Sequence, residues 1–480
     1  MSLRLALLKN TGWGVLGEFA ARGAKIAQTV LIARLLGAED LGSFNYALSL
    51  AGLFSVMFDF GIVTVAVKEL ARRPNAQIFR LYGRFKLFSS GFGILLVGGA
   101  ATLASLSPVD AWLVFGMGLY LALNDLSSYV LVSYRVRGEL WRETAWRSAT
   151  GVLQLVACVG AIVATNQLEV IVAALVAAAT LGLLPLVKEW KSQPRCHGNE
   201  AGFSAMVSTL RQCLPQAGTV FAGTVYMNFD VVVLSRYVSM EQLGWYSVAV
   251  KAIFSLLIMP LHYFQLASLP VFAANLEVSI ASASGRWLRS FLMSSTVGAA
   301  LCILTAILAE PLLLVLFGKA FLPASPILVM FCAVGFIFYL YAPLSQWLLL
   351  QGHQRKTFYI LIVAMVTNLS LVSLCVPAWG IWGAVAAAFV THLSIAAMHA
   401  ILVFRSSDFA VHRSELRALA RLVGGVTSAF LLLYFQTGGP WLSKLLAVVA
   451  VGVMAHQEFK SLWFCLRAVN LKSNPKDPKI

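Results

Sequence analysis

Charge is what this sequence has least of. Of its 480 residues 12% are charged and 59% hydrophobic, whereas soluble domains carry about 25% charged residues. A chain of this size has too little polar surface to enclose that apolar content as a soluble fold. Cysteine chemistry is missing too. The seven cysteines (Cys158, Cys196, Cys213, Cys302, Cys332, Cys375 and Cys465) include no Cys-x-x-Cys pair, so neither a disulfide framework nor a metal site is indicated. No His-Glu-x-x-His, Gly-x-Ser-x-Gly or Walker A stretch occurs, which removes the commonest metalloprotease, hydrolase and nucleotide-binding chemistries. The first apolar run contains Glu18, Arg22 and Lys25, too polar for the core of a cleaved signal peptide.

What is present is a series of apolar runs, each of about 20 residues, the length a helix needs to cross hydrocarbon while satisfying its own backbone. They predict about fourteen transmembrane helices, near 11–35, 42–66, 84–106, 111–133, 147–166, 168–187, 214–238, 244–270, 287–309, 324–350, 356–376, 380–404, 418–436 and 440–464. The runs are continuous rather than alternating, which argues against a β-barrel. The fold class expected is an all-α integral membrane protein.

The formal charge of +16 suggests nucleic acid until its distribution is read. With the N-terminus inside, the inner loops hold Lys68, Arg72, Arg73, Arg80, Arg84 and Lys86, then Arg135, Arg137, Arg142 and Arg147. The later inner loops hold Lys188, Lys191, Arg195, Arg286, Arg289, Arg355, Lys356, Arg405, Arg413, Arg417 and Arg421. The outer loops hold only Arg34, Arg236, Lys319 and Lys444. This is the positive-inside bias, and the basic residues need no nucleic-acid partner. It predicts a multi-pass protein with both termini in the cytoplasm.

An internal repeat organises the chain. Leu31-Ile-Ala-Arg-Leu-Leu-Gly-Ala-Glu-Asp-Leu-Gly aligns with Val233-Leu-Ser-Arg-Tyr-Val-Ser-Met-Glu-Gln-Leu-Gly, pairing Arg34 with Arg236, Glu39 with Glu241 and Gly42 with Gly244 at one offset of 202 residues. An even number of spans separates the copies, so they are parallel repeats about an axis along the membrane normal. The predicted organisation is an N-lobe over 1–190, a cytoplasmic linker over 191–210 and a C-lobe over 211–405. A C-terminal hairpin over 406–466 and a basic cytoplasmic tail over 467–480 follow.

The stretch Ala33-Arg-Leu-Leu-Gly-Ala-Glu-Asp-Leu-Gly-Ser-Phe44, then Phe58-Asp-Phe-Gly-Ile62, Val67-Lys-Glu-Leu-Ala71 and Gly380-Ile-Trp-Gly-Ala384, resembles the polysaccharide-transporter (O-antigen flippase) family. That family belongs to the multidrug/oligosaccharidyl-lipid/polysaccharide exporter superfamily. The resemblance implies two six-helix lobes around a cleft. It also implies movement of a polyprenyl-pyrophosphate-linked oligosaccharide, an O-antigen or exopolysaccharide repeat unit, between leaflets of a bacterial cytoplasmic (inner) membrane by alternating access. It implies no cofactor, with a proton or sodium gradient as the candidate energy source. Membrane lipid, a glycan polymerase and a chain-length regulator are the candidate partners.

Charges inside a membrane normally face a cavity or each other. Glu18, Arg22, Lys25 and Thr29 form one helical stripe, Asn45, Ser49, Gly52 and Asp59 a second, and Lys251, Ser255 and His262 a third. Arg22, Lys25 and Lys251 are therefore the candidate cations for a pyrophosphate, since guanidinium and ammonium groups both bind phosphate. Glu18, Asn45, Asp59, Asp125, Asp230 and His262 are candidate cavity or ion-coupling groups. The competing reading pairs the aspartates with Arg22, Lys25 or Lys251 in structural salt bridges. His392 and His399, seven apart, are expected to serve helix packing, and Pro260 and Pro343 to bend their helices.

Rival classes remain: a lipid II flippase, a multidrug or cation antiporter of the same superfamily, and a membrane glycosyltransferase. Against the last, the acidic pair Glu39-Asp40 sits in a short loop and Glu241 recurs in the second copy, which suits a structural turn. Against an antiporter for organic cations stands the cationic stripe.

Overall fold

A computed structural model of the chain describes residues 22–72, 76–103, 107–192, 203–262, 280–405 and 420–428, together with 264, 265, 268, 269 and 272. Every regular element among the described residues is a helix. We number them α1 (22–36), α2 (Ala38–Leu53), α3 (Ser55–Asp59), α4 (Ile62–Arg72), α5 (Ala76–Leu103), α6 (Pro108–Val130), α7 (Val132–Val136), α8 (Leu140–Thr165), α9 (Leu168–Ser192), α10 (Phe203–Leu234), α11 (Met240–Ile253), α12 (Ile280–Ile307), α13 (Ala309–Leu316), α14 (Ser325–Leu350), α15 (Gln354–Trp379), α16 (Ile381–Phe404) and α17 (420–428).

Among the described residues ten helices are long and apolar enough to cross a membrane, and the bent pair α2 with α3–α4 makes an eleventh. These eleven coincide in order with predicted spans two to twelve. The first predicted span is described only from residue 22. Of the last two, only residues 420–428 are described, so the count of fourteen rests on sequence there.

Contacts divide the chain into two compact units. The first contains residues up to Ser247 together with Met365–Ala384, and the second contains Val248–Ala364 and the residues from Val385 onward. In the first unit α6 packs on α2, α5 and α9, and α10 packs on α2. One of its cores joins Phe79 and Tyr82 of α5 to Tyr129 of α6, with Trp190 packed against them. Gly83 makes room there, since a Cβ at that position would fall 1.9 Å from the Trp190 ring. In the second unit α12 packs on α14. Trp287 stacks on Phe291 and meets Trp347 at 5.2 Å between ring centroids.

Two helices break their regular winding. The α2 to α4 span bends by 46°, and α3 then ends at Phe60 and Gly61, both at positive φ (47° and 71°). The second irregularity is a π-turn over Phe254–Ile258 at the end of α11. It lies just before Pro260, whose missing N–H already interrupts the ladder. Tyr339 of α14 donates its hydroxyl to the Leu257 carbonyl at 2.7 Å, which ties this turn to α14.

The repeated segments both prove to be helix starts. Glu39 and Asp40 occupy the first turn of α2, and Glu241 that of α11, where carboxylates face the positive end of the helix dipole. At α11 Ser239 and Gln242 close a reciprocal capping box, with N–H to side-chain distances of 3.3 and 3.2 Å. The acidic loop is thus a structural turn.

Candidate functional site

The first unit contains a charge cluster that sequence reasoning missed. Lys86 of α5 is fully buried and its ammonium lies between two carboxylates. It donates to Asp59 Oδ1 at 3.1 Å and to Asp125 Oδ2. Asp59 Oδ1 also accepts the Val63 N–H at 3.3 Å, which ties the cluster to the first turn of α4 just past the Phe60–Gly61 break. The Ser89 hydroxyl reaches the Phe58 carbonyl at 3.3 Å on the same face of α5.

This corrects two expectations. Lys86 does not belong to an inner loop. The helix begins at Ala76 rather than near 84, so Lys86 sits about ten residues, roughly 15 Å, along it. The partner of Asp59 and Asp125 is Lys86, where Arg22, Lys25 or Lys251 had been the alternatives. A signal was available: Phe79, Tyr82, Lys86, Ser89 and Val97 recur at helical spacing and are all buried, so Lys86 falls on the core-facing stripe. Two carboxylates thus share one ammonium.

A polar pocket of about 110 Å³ lies elsewhere in the first unit, between α1, α6 and α8. Lys25 and Gln28 line it from α1. Asn124, Ser127 and Ser128 do so from α6, and Trp146, Arg147, Thr150 and Gln154 from α8. Asn124 and Gln154 belong to a hydrogen-bonded chain that continues behind the pocket to Tyr120. Tyr120 donates to Gln154 Oε1 at 3.0 Å, Gln154 Nε2 donates to Asn124 Oδ1 at 2.8 Å, and Asn124 Nδ2 donates to the Tyr120 carbonyl at 2.8 Å. The charge on its wall is shared. Buried Glu143 accepts from Arg147 Nε at 3.0 Å and also pairs with Arg135. One carboxylate therefore serves two guanidinium groups beside the pocket.

The other candidates fall as follows. Glu18 lies outside the described residues. Arg22 is half-buried on α1. Thr29 is buried and donates to the Lys25 carbonyl at 3.0 Å. Asn45 and Ser49 are buried on α2. Asp230 of α10 accepts the Tyr246 hydroxyl of α11 and the Val231 N–H at 2.8 Å. Lys251 is half-buried and His262 exposed, both in the second unit. The structure thus unites Lys25 with Arg147, and Asp59 with Asp125. Arg147, assigned by sequence to loop topology, is a pocket residue because α8 starts at Leu140, about two turns before the predicted span. His392 meets Tyr341 at 3.2 Å between α16 and α14, an interhelical contact of the expected kind. Among the described residues no group of three or more His, Cys, Asp or Glu side chains could hold a metal ion.

Comparison with known proteins places this architecture. None of the curated proteins matches the sequence. Among solved structures, a lipid II flippase, MurJ, in an inward closed conformation superimposes with a TM-score of 0.71 at 12% identity, covering 94% of this chain and 99% of that one. A MATE multidrug transporter, DinF-BH, superimposes with a TM-score of 0.59 at 17% identity, covering 85% and 97%. An inward-facing multidrug resistance MATE family transporter of the MOP superfamily does so at 0.56 and 14%, covering 80% and 95%. At these identities the likeness is one of fold. The sequence profile of the polysaccharide biosynthesis protein family matches residues 7–276, more than half of the chain. The chain, a multi-pass membrane protein with the fold of MOP transporters, therefore belongs to the polysaccharide biosynthesis protein family.

Proposed function

We propose that this protein is a flippase for a polyprenyl-pyrophosphate-linked oligosaccharide, an O-antigen or exopolysaccharide repeat unit, in a bacterial cytoplasmic membrane. The observation that carries this reading is the pocket of the first unit. Lys25 and Arg147 line it, and a single carboxylate, Glu143, is divided between Arg147 and Arg135. Ammonium and guanidinium donors lining one pocket suit a phosphate-bearing head group. The family's link to polysaccharide biosynthesis favours a lipid-linked glycan, and the fold shared with a lipid II flippase fits a head group that crosses while its lipid stays in the bilayer.

In this reading two repeat-related lobes, 1–190 and 211–405, alternate access to the head group, with both termini cytoplasmic. Lys251 supplies a further cation from the C-lobe. The Asp59–Lys86–Asp125 cluster, two carboxylates on one ammonium next to a helix break, is the seat of coupling to a proton gradient. A glycan polymerase and a chain-length regulator act downstream.

The test is translocation in proteoliposomes and glycan export in cells lacking the native flippase. Lys25→Ala lowers lipid-linked oligosaccharide transport about tenfold, the loss of one charge-assisted phosphate contact of roughly 1.4 kcal/mol. Wild-type rates from a well-inserted Lys25→Ala, Arg147→Ala double variant overturn the reading.

A further inference from the structure

We infer that Asp125 is the carboxylate that takes up and releases the coupling proton, and that Asp59 is a positioning residue that holds Lys86 and the start of α4 in place. The inference rests on the flippase reading and on the coupling role given to this cluster, and it divides that role between the two aspartates.

The division follows from what each carboxylate holds. Asp59 Oδ1 accepts from two donors, the Lys86 ammonium at 3.1 Å and the Val63 N–H at 3.3 Å. Among the described residues Asp125 accepts from Lys86 alone. The Val63 N–H is one of the donors that the start of a helix leaves over, and α4 starts directly after the positive-φ pair Phe60 and Gly61. A proton on Asp59 would weaken two hydrogen bonds at once and release that helix start. A proton on Asp125 weakens one.

Lys86 makes the exchange at Asp125 tolerable. A buried ammonium left without a carboxylate is strongly destabilising. When Asp125 is ionised the two aspartates share Lys86, and when it is neutral Lys86 stays paired with Asp59. The step moves one proton onto the Asp125 carboxylate and off again, and every other covalent bond stays as it is. Access does not separate the two aspartates, because their side chains are 21% and 23% exposed while Lys86 is fully buried. The donor count does.

The other titratable groups around the cluster are Tyr82 from α5, Tyr129 from α6, Cys213 from α10 and Glu69 from α4. Tyr82 donates to Gln212 Oε1 at 2.7 Å and Tyr129 to the Phe79 carbonyl. Cys213 is a buried free thiol, and Glu69 is half-buried. Among the described residues none of the four hydrogen-bonds to Lys86 or to either aspartate.

The experiment uses the full chain, as wild type, Asp125→Asn and Asp59→Asn. Asparagine keeps the shape and an acceptor oxygen for the Val63 N–H, and each variant leaves Lys86 one carboxylate. Transport of lipid-linked oligosaccharide is measured in proteoliposomes against pH, with and without an imposed proton gradient. The infrared C=O stretch of a protonated carboxylic acid, followed over the same pH range in nanodiscs, reports the proton itself and needs no substrate. Wild type is expected to show a band that grows as pH falls, and a stimulation by the gradient of about fivefold or more, the lower end of ordinary coupling energies. Asp125→Asn loses that band and most of the stimulation. Asp59→Asn transports more slowly but keeps the band, the pH profile and the stimulation ratio. A band and a gradient response that survive Asp125→Asn, or that vanish with Asp59→Asn instead, overturn the assignment while the flippase reading stands. Wild-type transport that ignores the gradient overturns the coupling role together with the assignment. Absence of oligosaccharide transport in wild type overturns the flippase reading, and loss or survival of the infrared band in Asp125→Asn then still decides whether Asp125 carries a proton.

Discussion

Gly42 and Gly244, equivalent positions of the internal repeat, pack against each other's helix starts. A Cβ on Gly42 would fall 1.8 Å from the Met240 carbonyl oxygen, and one on Gly244 would fall 2.1 Å from that of Ala38. Ala38 and Met240 are themselves equivalent at the same offset. The contact is reciprocal, as a local two-fold axis between two parallel copies requires. Both contacts are with backbone, which cannot turn aside as a side-chain tip can.

Gly42→Ala and Gly244→Ala should therefore each destabilise the protein by about 1–3 kcal/mol, the range for overpacking. Thermal unfolding in detergent reports the loss. Because both substitutions strain one contact, the double variant should lose less than the sum of the singles. Full additivity would show that α2 and α11 meet some other way.

Lys86→Met leaves Asp59 and Asp125 facing each other without their shared cation. Removing one partner of a buried ion pair typically costs about 3–5 kcal/mol, so reduced expression and an early melting transition are expected. Adding Asp59→Asn and Asp125→Asn should restore most of the stability, because the buried charge is then gone. The rescued protein also separates fold from coupling: it should be stable and should transport without responding to an imposed proton gradient.

Glu143→Gln removes the only carboxylate shared by Arg135 and Arg147 among the described residues. The two guanidinium groups then repel. A loss of about 1–3 kcal/mol is expected, smaller than for Lys86 because Arg135 is partly exposed. Affinity for an anionic lipid head group should rise, since Arg147 no longer has a competing anion. A titration with undecaprenyl pyrophosphate decides, and unchanged or weaker binding would remove Arg147 from the site.

Tyr341→Phe removes the hydrogen bond to His392 at 3.2 Å. The ring also stacks on His399 at 5.8 Å between centroids, and that stacking survives the substitution. The expected effect is a loss of about 0.5–1.5 kcal/mol, read as a small drop in melting temperature with transport retained.

Local patterns carried much of this architecture. Apolar runs of bilayer length marked eleven spans in the right order, because each transmembrane helix satisfies its own backbone and needs little from its neighbours to be recognised. The repeat was visible because helix starts are written locally, in Glu39 and Glu241 at first turns and in Gly42 and Gly244 at crossings. Charges were harder. Lys86 and Arg147 were placed in loops because a basic residue near the end of an apolar run reads as an anchor. The helices in fact begin about two turns earlier and turn these residues inward.

The sequence by itself determined that this chain crosses the membrane many times and that its halves repeat, since hydropathy and periodicity follow from residue order alone. Only the tertiary structure decided that Asp59 and Asp125 meet at Lys86, and that Lys25 shares a pocket with Arg147. Those partners come from helices whose facing is set by packing, and a helix can present a charge to any neighbour on that side. Which neighbour it meets depends on how side chains such as Phe79, Tyr129 and Trp190 fill the space between.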